Sequence, residues 1–186
     1  KSSSLHAMNV VTTNIAVLEL FTSQGCSSCP PADKLIGTYT SKTNVIPLSF
    51  HVDYWNRQGW NDPFSSHGYS QRQYMYASAL KSEVYTPQLI INGQTEMIGS
   101  DAGKISSILN KIFSEQPEAT LNIQNVEPVN SKINIKYIIT GNAQNSNLNI
   151  AVVEKKTVTP VKAGENDGVT LTDYNVVRNF KTIGSI

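Results

Sequence analysis

The sequence has only two cysteines, three histidines and three methionines in 186 residues. Two cysteines exclude a disulfide-dense scaffold and a multi-cysteine metal cluster. Charge is sparse at 16%, and 15 basic against 14 acidic residues leave a net charge of +1. There is therefore no electrostatic footprint for nucleic acid or an anionic membrane. No run of about 18 apolar residues occurs, so no membrane-spanning helix is expected. Residues 1–13, beginning Lys1-Ser2-Ser3-Ser4-Leu5-His6, have no apolar stretch of the signal-peptide kind and read as a polar lead-in. A secretory signal is taken to have been removed ahead of this numbering. The surplus of Asn, Ser and Thr over charge leans towards a periplasmic or secreted protein.

Both cysteines fall in one stretch, Val17-Leu-Glu-Leu-Phe-Thr-Ser-Gln-Gly-Cys26-Ser-Ser-Cys29-Pro-Pro-Ala-Asp33. An apolar run of strand formers over residues 15–22 enters a polar turn at Gly25. The turn leads into Cys-x-x-Cys, and a helical pattern follows with Leu35, Ile36 and Tyr39. A strand, Cys-x-x-Cys and a helix in that order read as a redox motif. Two thiols on a helix-terminal turn come within disulfide reach, and the free N–H groups there favour a thiolate. Cys26, first out of the turn, is expected to be the exposed attacking thiol and Cys29 the resolving one. Pro30 and Pro31 suit a first helical turn, while Pro30 disfavours helical geometry at Cys29. The same pair is open to two other readings, a structural disulfide and a two-thiolate metal site.

Along the chain, Val45–Val52 reads as a second strand, making a right-handed βαβ unit with parallel pairing. Pro47 argues for an early or edge position in that strand. Function gathers at the carboxyl ends of such strands, which places His51 near the thiols, as thiolate partner or metal ligand. Glu19, a carboxylate on a strand apolar on both faces, is a candidate proton acceptor, or simply a paired strand residue. Residues 54–85 hold both tryptophans and most tyrosines. Within them Trp55 is a candidate supporting residue, and a helix is expected over about 69–82. They read equally as packing and as the wall of a substrate groove. Thr86-Pro87 opens a hairpin around Asn92-Gly93. Ser100-Asp101 caps an amphipathic helix carrying Ile105, Ile108, Leu109, Ile112 and Phe113.

After residue 118 alternation takes over, at Leu121 and Ile123, at 133–139 and at 148–152, with further strands near 158–161 and 174–180 and a polar loop at 163–173. These are half-buried antiparallel strands. They are expected to form a small sandwich-like domain over 119–186, or a sheet packed on the first domain, with an edge open to a partner.

The order of elements over residues 14–116 resembles the thioredoxin fold, and Phe21-Thr-Ser-Gln-Gly-Cys26 resembles its glutaredoxin branch. That resemblance implies that Pro87 is cis and packs beside the cysteines, and that the Thr86 backbone pairs with substrate. The Glu19–Asp33 stretch, His51-Val-Asp-Tyr-Trp55, Trp60-x-Asp62-Pro63-Phe64-Ser65, Tyr85-Thr-Pro-Gln88, Gly164-Glu-Asn166, Leu171 and Asn175-Val-Val-Arg178 resemble a bacterial family, DUF1223. The resemblance implies export and a thioredoxin-like fold, without an established reaction. The expectation is thus an α/β protein in three parts. A lead-in (1–13) is followed by a thioredoxin-like domain (14–118) with an aromatic insertion (54–85), and then by the β-rich segment 119–186. The expected function is thiol–disulfide exchange by Cys26 and Cys29 on a protein or small-molecule thiol or disulfide, aligned by Thr86 and Pro87. Glu19, His51 and Trp55 support the pair, and no cofactor is needed. The alternatives are Cu(I) or Zn held by Cys26, Cys29 and His51, and a non-catalytic interaction protein stapled by its disulfide.

Overall fold

The computed structural model describes residues 14–185, apart from 131 and 145. The expected lead-in at 1–13 lies outside the described residues. In chain order the elements are β1 (Ala16–Thr22), α1 (Pro30–Thr38), β2 (Val45–His51), α2 (His67–Leu80), β3 (Gln88–Ile91), β4 (Thr95–Ile98) and α3 (Ala102–Ser114). Four strands complete the order: β5 (Ala119–Val129), β6 (Lys132–Gly141), β7 (Asn147–Pro160) and β8 (Thr170–Ser185). Six strands make one mixed sheet in the order β4-β3-β1-β2-β8-β7, and β5 and β6 pair separately. The α/β class expected from the sequence is met. β1 and β2 run parallel, with Thr22 opposite His51, and the β3–β4 hairpin adds antiparallel to β1. No helix among the described residues is long and apolar enough to cross a membrane.

Alternation on β1 sorts the two cores. Leu18 and Leu20 pack with Ile36, Leu89, Met97, Ile105 and Leu109, beneath α1 and α3. Phe21 faces the other way and packs with Phe50, Ile90, Tyr69 of α2 and Val177. Period-two side chains on a strand covered on both faces explain why β1 reads as apolar throughout. Thr22 and His51, register partners at the strand ends, share the α1 face with Leu18 and Leu20. The close seat of α1 on β8 depends on Gly37, where a Cβ would sit 2.5 Å from the Tyr174 ring.

The C-terminal strands depart from expectation. β7 and β8 do not form a sheet of their own. β8 runs parallel to β2, bridged at Ser49–Val176, and carries β7 on its outer side. The Val176 and Val177 side chains that alternate along β8 are both buried, so the apolar pattern there belongs to the central sheet. β2 is consequently interior and not an edge, and Pro47 takes the other expected place, near the start of the strand. Proline is accommodated because the β8 bridge falls at Ser49, and Pro47 O instead accepts a hydrogen bond from the Asn175 side chain at 3.0 Å. β5 and β6 alone among the described strands stand apart, as an antiparallel pair. A register shift between Ile123 and Asn125 lets Val126 pair with Ile135, as Ile123 pairs with Tyr137. That bulge keeps Leu121, Ile123, Val126, Ile133, Ile135 and Tyr137 on one face despite an odd spacing in sequence.

Candidate functional site

The Cys-x-x-Cys turn is a series of tight backbone turns. Cys26 N donates to Ser23 O and Cys29 N to Cys26 O, both at 3.2 Å, and Ala32 N and Asp33 N donate to Cys29 O. The helix begins at Pro30, as expected, yet Cys29 itself has helical backbone angles (φ −77°, ψ −39°). The backbone bonds accepted by Cys29 O outweigh the preference that Pro30 imposes.

Both thiols are free and buried, Cys26 at 1% exposure and Cys29 at 0%. The expected exposure of Cys26 is therefore corrected. Its Sγ is covered by neighbours: Ser28 Oγ lies at 3.2 Å, and Thr86 Oγ1 donates to it at 3.3 Å. The Thr86 hydroxyl in turn accepts from Trp55 Nε1 at 2.8 Å. The peptide bond between Thr86 and Pro87 is cis. Thr86 thus touches Cys26 Sγ, Trp55 reaches it through the Thr86 hydroxyl, and Pro87 follows across the cis bond. The two thiols are electrostatically unlike. Cys26 is lowered to about 6 by the Cys29 hydrogen bond, with smaller help from Ser28 and Thr86, against the opposing effect of burial. Cys29 is pushed well above the usual thiol range, by burial first and then by its bond to Cys26.

Glu19 is not near this chemistry. Its carboxylate takes a two-pronged bond from Arg72, at 2.6 and 2.8 Å, and a third from Tyr76. β1 alternation sends Glu19 to the α2 face, opposite to Thr22. The buried acid beneath the thiols is Asp33, 4% exposed and one turn beyond Cys29 on α1. Burial, then the neighbouring Asp173 carboxylate, raises its pKa to about 8. The i, i+4 spacing of Cys29 and Asp33 was the available signal.

His51 lies on the same side. Its Nδ1 is 2.7 Å from Asp62 Oδ2, with both side chains fully buried. Burial alone would lower its pKa, but Asp62 overcomes that and raises it to about 9. Asp62 is correspondingly held below the carboxylate range: His51 and bonds from Gln24 N and Phe64 N outweigh its burial. Thr22 Oγ1, Asp33 Oδ1 and His51 Nε2 are all buried and make no hydrogen bond among the described residues. The Thr22 hydroxyl is still near enough to Cys29 and Asp33 to lower the pKa of both. A small polar pocket therefore lies under Cys29, in a setting where unpartnered polar atoms are costly. The metal alternative gains no support from this arrangement. Asp62 engages one ring nitrogen of His51, and no three His, Cys, Asp or Glu side chains among the described residues are grouped as a ligand set.

The second half of the chain completes the turn. Asn166 Nδ2 donates to Gln24 O and Cys26 O, both at 2.9 Å. Glu165 Oε2 accepts from Ser27 N at 2.9 Å and from Ser27 Oγ at 2.7 Å. Gln24 Nε2 donates to Asp173 Oδ2 at 2.7 Å, while Gln24 N donates to Asp62. The aromatic insertion contributes Trp60, whose Nε1 donates to Gln24 Oε1. No periodicity argument reaches across about 140 residues. The only sequence signal for these partners was the family-like Gly164-Glu-Asn166.

Comparison with known proteins agrees with that resemblance. A crystal structure of a protein from Agrobacterium tumefaciens, from a structural-genomics consortium, superposes with a TM-score of 0.74 at 32% identity, over 94% of this chain and 75% of that one. No curated protein matches the chain. The model of the family described as protein of unknown function DUF1223 matches residues 17–186. The chain belongs to that family.

Proposed function

We propose that the protein is an exported thiol–disulfide oxidoreductase working through Cys26 and Cys29. The observation that carries this reading is the setting of the pair: two free thiols on the turn that opens α1, with Thr86 Oγ1 donating to Cys26 Sγ beside a cis Thr86–Pro87 bond. That setting favours a thiolate at Cys26, while burial holds Cys29 protonated. A thiolate at neutral pH beside a protonated resolving thiol is the arrangement that exchange requires.

In the forward direction Cys26 thiolate attacks one sulfur of a substrate disulfide. A Cys26–substrate bond forms, the substrate S–S bond breaks, and the departing sulfur leaves as a thiolate that takes a proton from solvent. Cys29 then gives up its proton to Asp33 in its ionised form, the minor form at neutral pH, and attacks Cys26 Sγ, so that a Cys26–Cys29 bond forms as the Cys26–substrate bond breaks. The second substrate sulfur leaves with the electron pair and is protonated in turn. The protein ends as a disulfide and the substrate as two thiols. The reverse sequence oxidises a substrate dithiol, with the Asp33 acid supplying the proton that Cys29 needs as it leaves. The Thr86 segment lies against Cys26 Sγ, moves aside to uncover it and positions the incoming chain. No organic cofactor enters the chemistry.

The burial of both sulfurs favours a second reading, a disulfide that only staples the turn. One experiment separates the two. A glutathione redox titration, read by thiol alkylation and intact mass, is expected to give a reversible two-electron transition between about −120 and −270 mV. A pair that stays oxidised below about −300 mV supports the staple and overturns the oxidoreductase.

A further inference from the structure

The loop between β7 and β8 does more than brace the cysteine turn. It is closed by its own backbone bonds, Val161 N to Val169 O and Gly168 N to Val161 O. It is seated by buried Asn166, and by Gly164, where an added Cβ would lie 3.3 Å from Trp60 Cβ and 3.8 Å from Gly25 Cα. Gly164 has a positive φ of 78°, a conformation that side chains disfavour. This seating holds Glu165 out in solvent beside Ser27, the residue next to the attacking thiol. Both Ser27 bonds use Oε2, so Oε1 carries no hydrogen bond among the described residues. No lysine or arginine pairs with Glu165 among those residues. Asp167, in the same loop, is also exposed, as is the single base Lys162. The half-exposed Trp55 donates to the Thr86 hydroxyl that covers the sulfur, and the His51–Asp62 charges are sealed within. The open rim beside Cys26 therefore carries a fixed carboxylate and an aromatic ring.

We propose that Glu165 selects the substrate: the site favours polypeptide disulfides with a lysine or arginine beside the cysteine, and disfavours anionic small thiols such as glutathione. This rests on the oxidoreductase reading. A carboxylate attracts an ammonium or guanidinium, and an aromatic face accepts the same cations. The Ser27 bonds lower the Glu165 pKa and keep it ionised into the acid range. For an exposed pair the preference is modest and salt-sensitive.

The test uses the reduced full-length protein with three disulfides: two homodimeric peptides differing only in Lys or Glu next to the cysteine, and oxidised glutathione. Second-order rates are read from tryptophan fluorescence. At about 0.01 M salt the Lys peptide is expected to react about fivefold faster than the Glu peptide, and the ratio to collapse towards one at about 1 M salt. Glu165→Gln keeps an acceptor for Ser27 and removes the charge, and is expected to bring the low-salt ratio towards one. Equal rates for both peptides, or a ratio unmoved by salt and by E165Q, overturn this inference alone. Failure of every disulfide to react overturns the oxidoreductase reading and this inference with it.

Discussion

Asp33→Asn should make the reduced protein more stable while impairing it as a redox protein. The argument is one of linkage. Asp33 has a folded pKa of about 8 against an ordinary 3.8. Between those values the folded state keeps a proton that the unfolded chain has lost. Stability then falls as pH rises through that window, because the unfolded state binds fewer protons. At ~1.4 kcal/mol per pH unit the whole window is worth about 6 kcal/mol, of which about 4 kcal/mol has been lost by pH 7. Asparagine has the same shape and no charge to bury, so it escapes this loss. His51 adds a second slope of the same sign. Its pKa is raised to about 9, so its contribution is full below about 6.5 and lost as pH rises through 9. Asp62 acts oppositely: its lowered pKa contributes stability that is lost as pH falls through the folded value. Urea unfolding of reduced wild type and D33N across pH 4 to 9 is the assay. Cys26, lowered from 9.0 to about 6, gives stability that rises with pH between those values and offsets the His51 slope. Wild type should therefore weaken above about pH 4 until Asp33 titrates, while D33N should stay nearly level. At pH 7 the variant should gain up to about 4 kcal/mol, on the order of 10 °C in Tm. Its resolution of mixed disulfides should be slower, seen as accumulation of the Cys26 adduct by mass. Parallel pH profiles for the two proteins, or a D33N less stable at pH 7, would refute the reasoning.

Three further outcomes are expected. Ultraviolet titration of the thiolate should find Cys26 with a midpoint near 6, and Thr86→Val, which removes the hydroxyl that donates to Sγ at 3.3 Å, should move it upward; an unchanged midpoint would count against that bond. Glu19→Ala should strand Arg72 among Phe50, Tyr76 and Phe180, costing about 3–5 kcal/mol in urea unfolding. The same variant should leave the Cys26 midpoint where it was, and a shift would restore Glu19 as a proton acceptor. Asn166→Ala leaves Gln24 O and Cys26 O without their donor, at about 1–3 kcal/mol for each orphaned group, read as a fall in Tm.

How much of this was legible depended on distance along the chain. The βαβ unit, both later helices and the Asn92-Gly93 hairpin came from local signals: alternation, helical spacing, an N-cap and a turn dipeptide. Asp101 does cap α3, accepting from Lys104 N. The cysteine turn and Thr86-Pro87 were legible for the same reason. Glu19 misled because composition cannot say which face of a doubly covered strand a residue takes, nor that Arg72 waits on α2. Asp33 went unread because it sits in a polar first turn, where an acid is ordinary; only the packing of α1 over Thr22 and His51 buries it. The fate of β8 was hidden most fully. Its alternation suits an independent sheet as well as the interior place beside β2 that it takes.

The bonds from residues 165, 166 and 173 to the cysteine turn also carry a statement about time. They span 138 to 149 residues. While residues 26 and 29 are already outside the ribosome, their partners have yet to be synthesised. β2 has no right-hand neighbour until β8 arrives, and parallel pairing over such a separation is slow. Until then the two cysteines belong to a turn that lacks the bonds Glu165, Asn166 and Asp173 make to it. The bracing of the cysteine turn is thus completed late, by the strand pair that follows the separate β5–β6 hairpin, and an incomplete chain does not carry the finished turn.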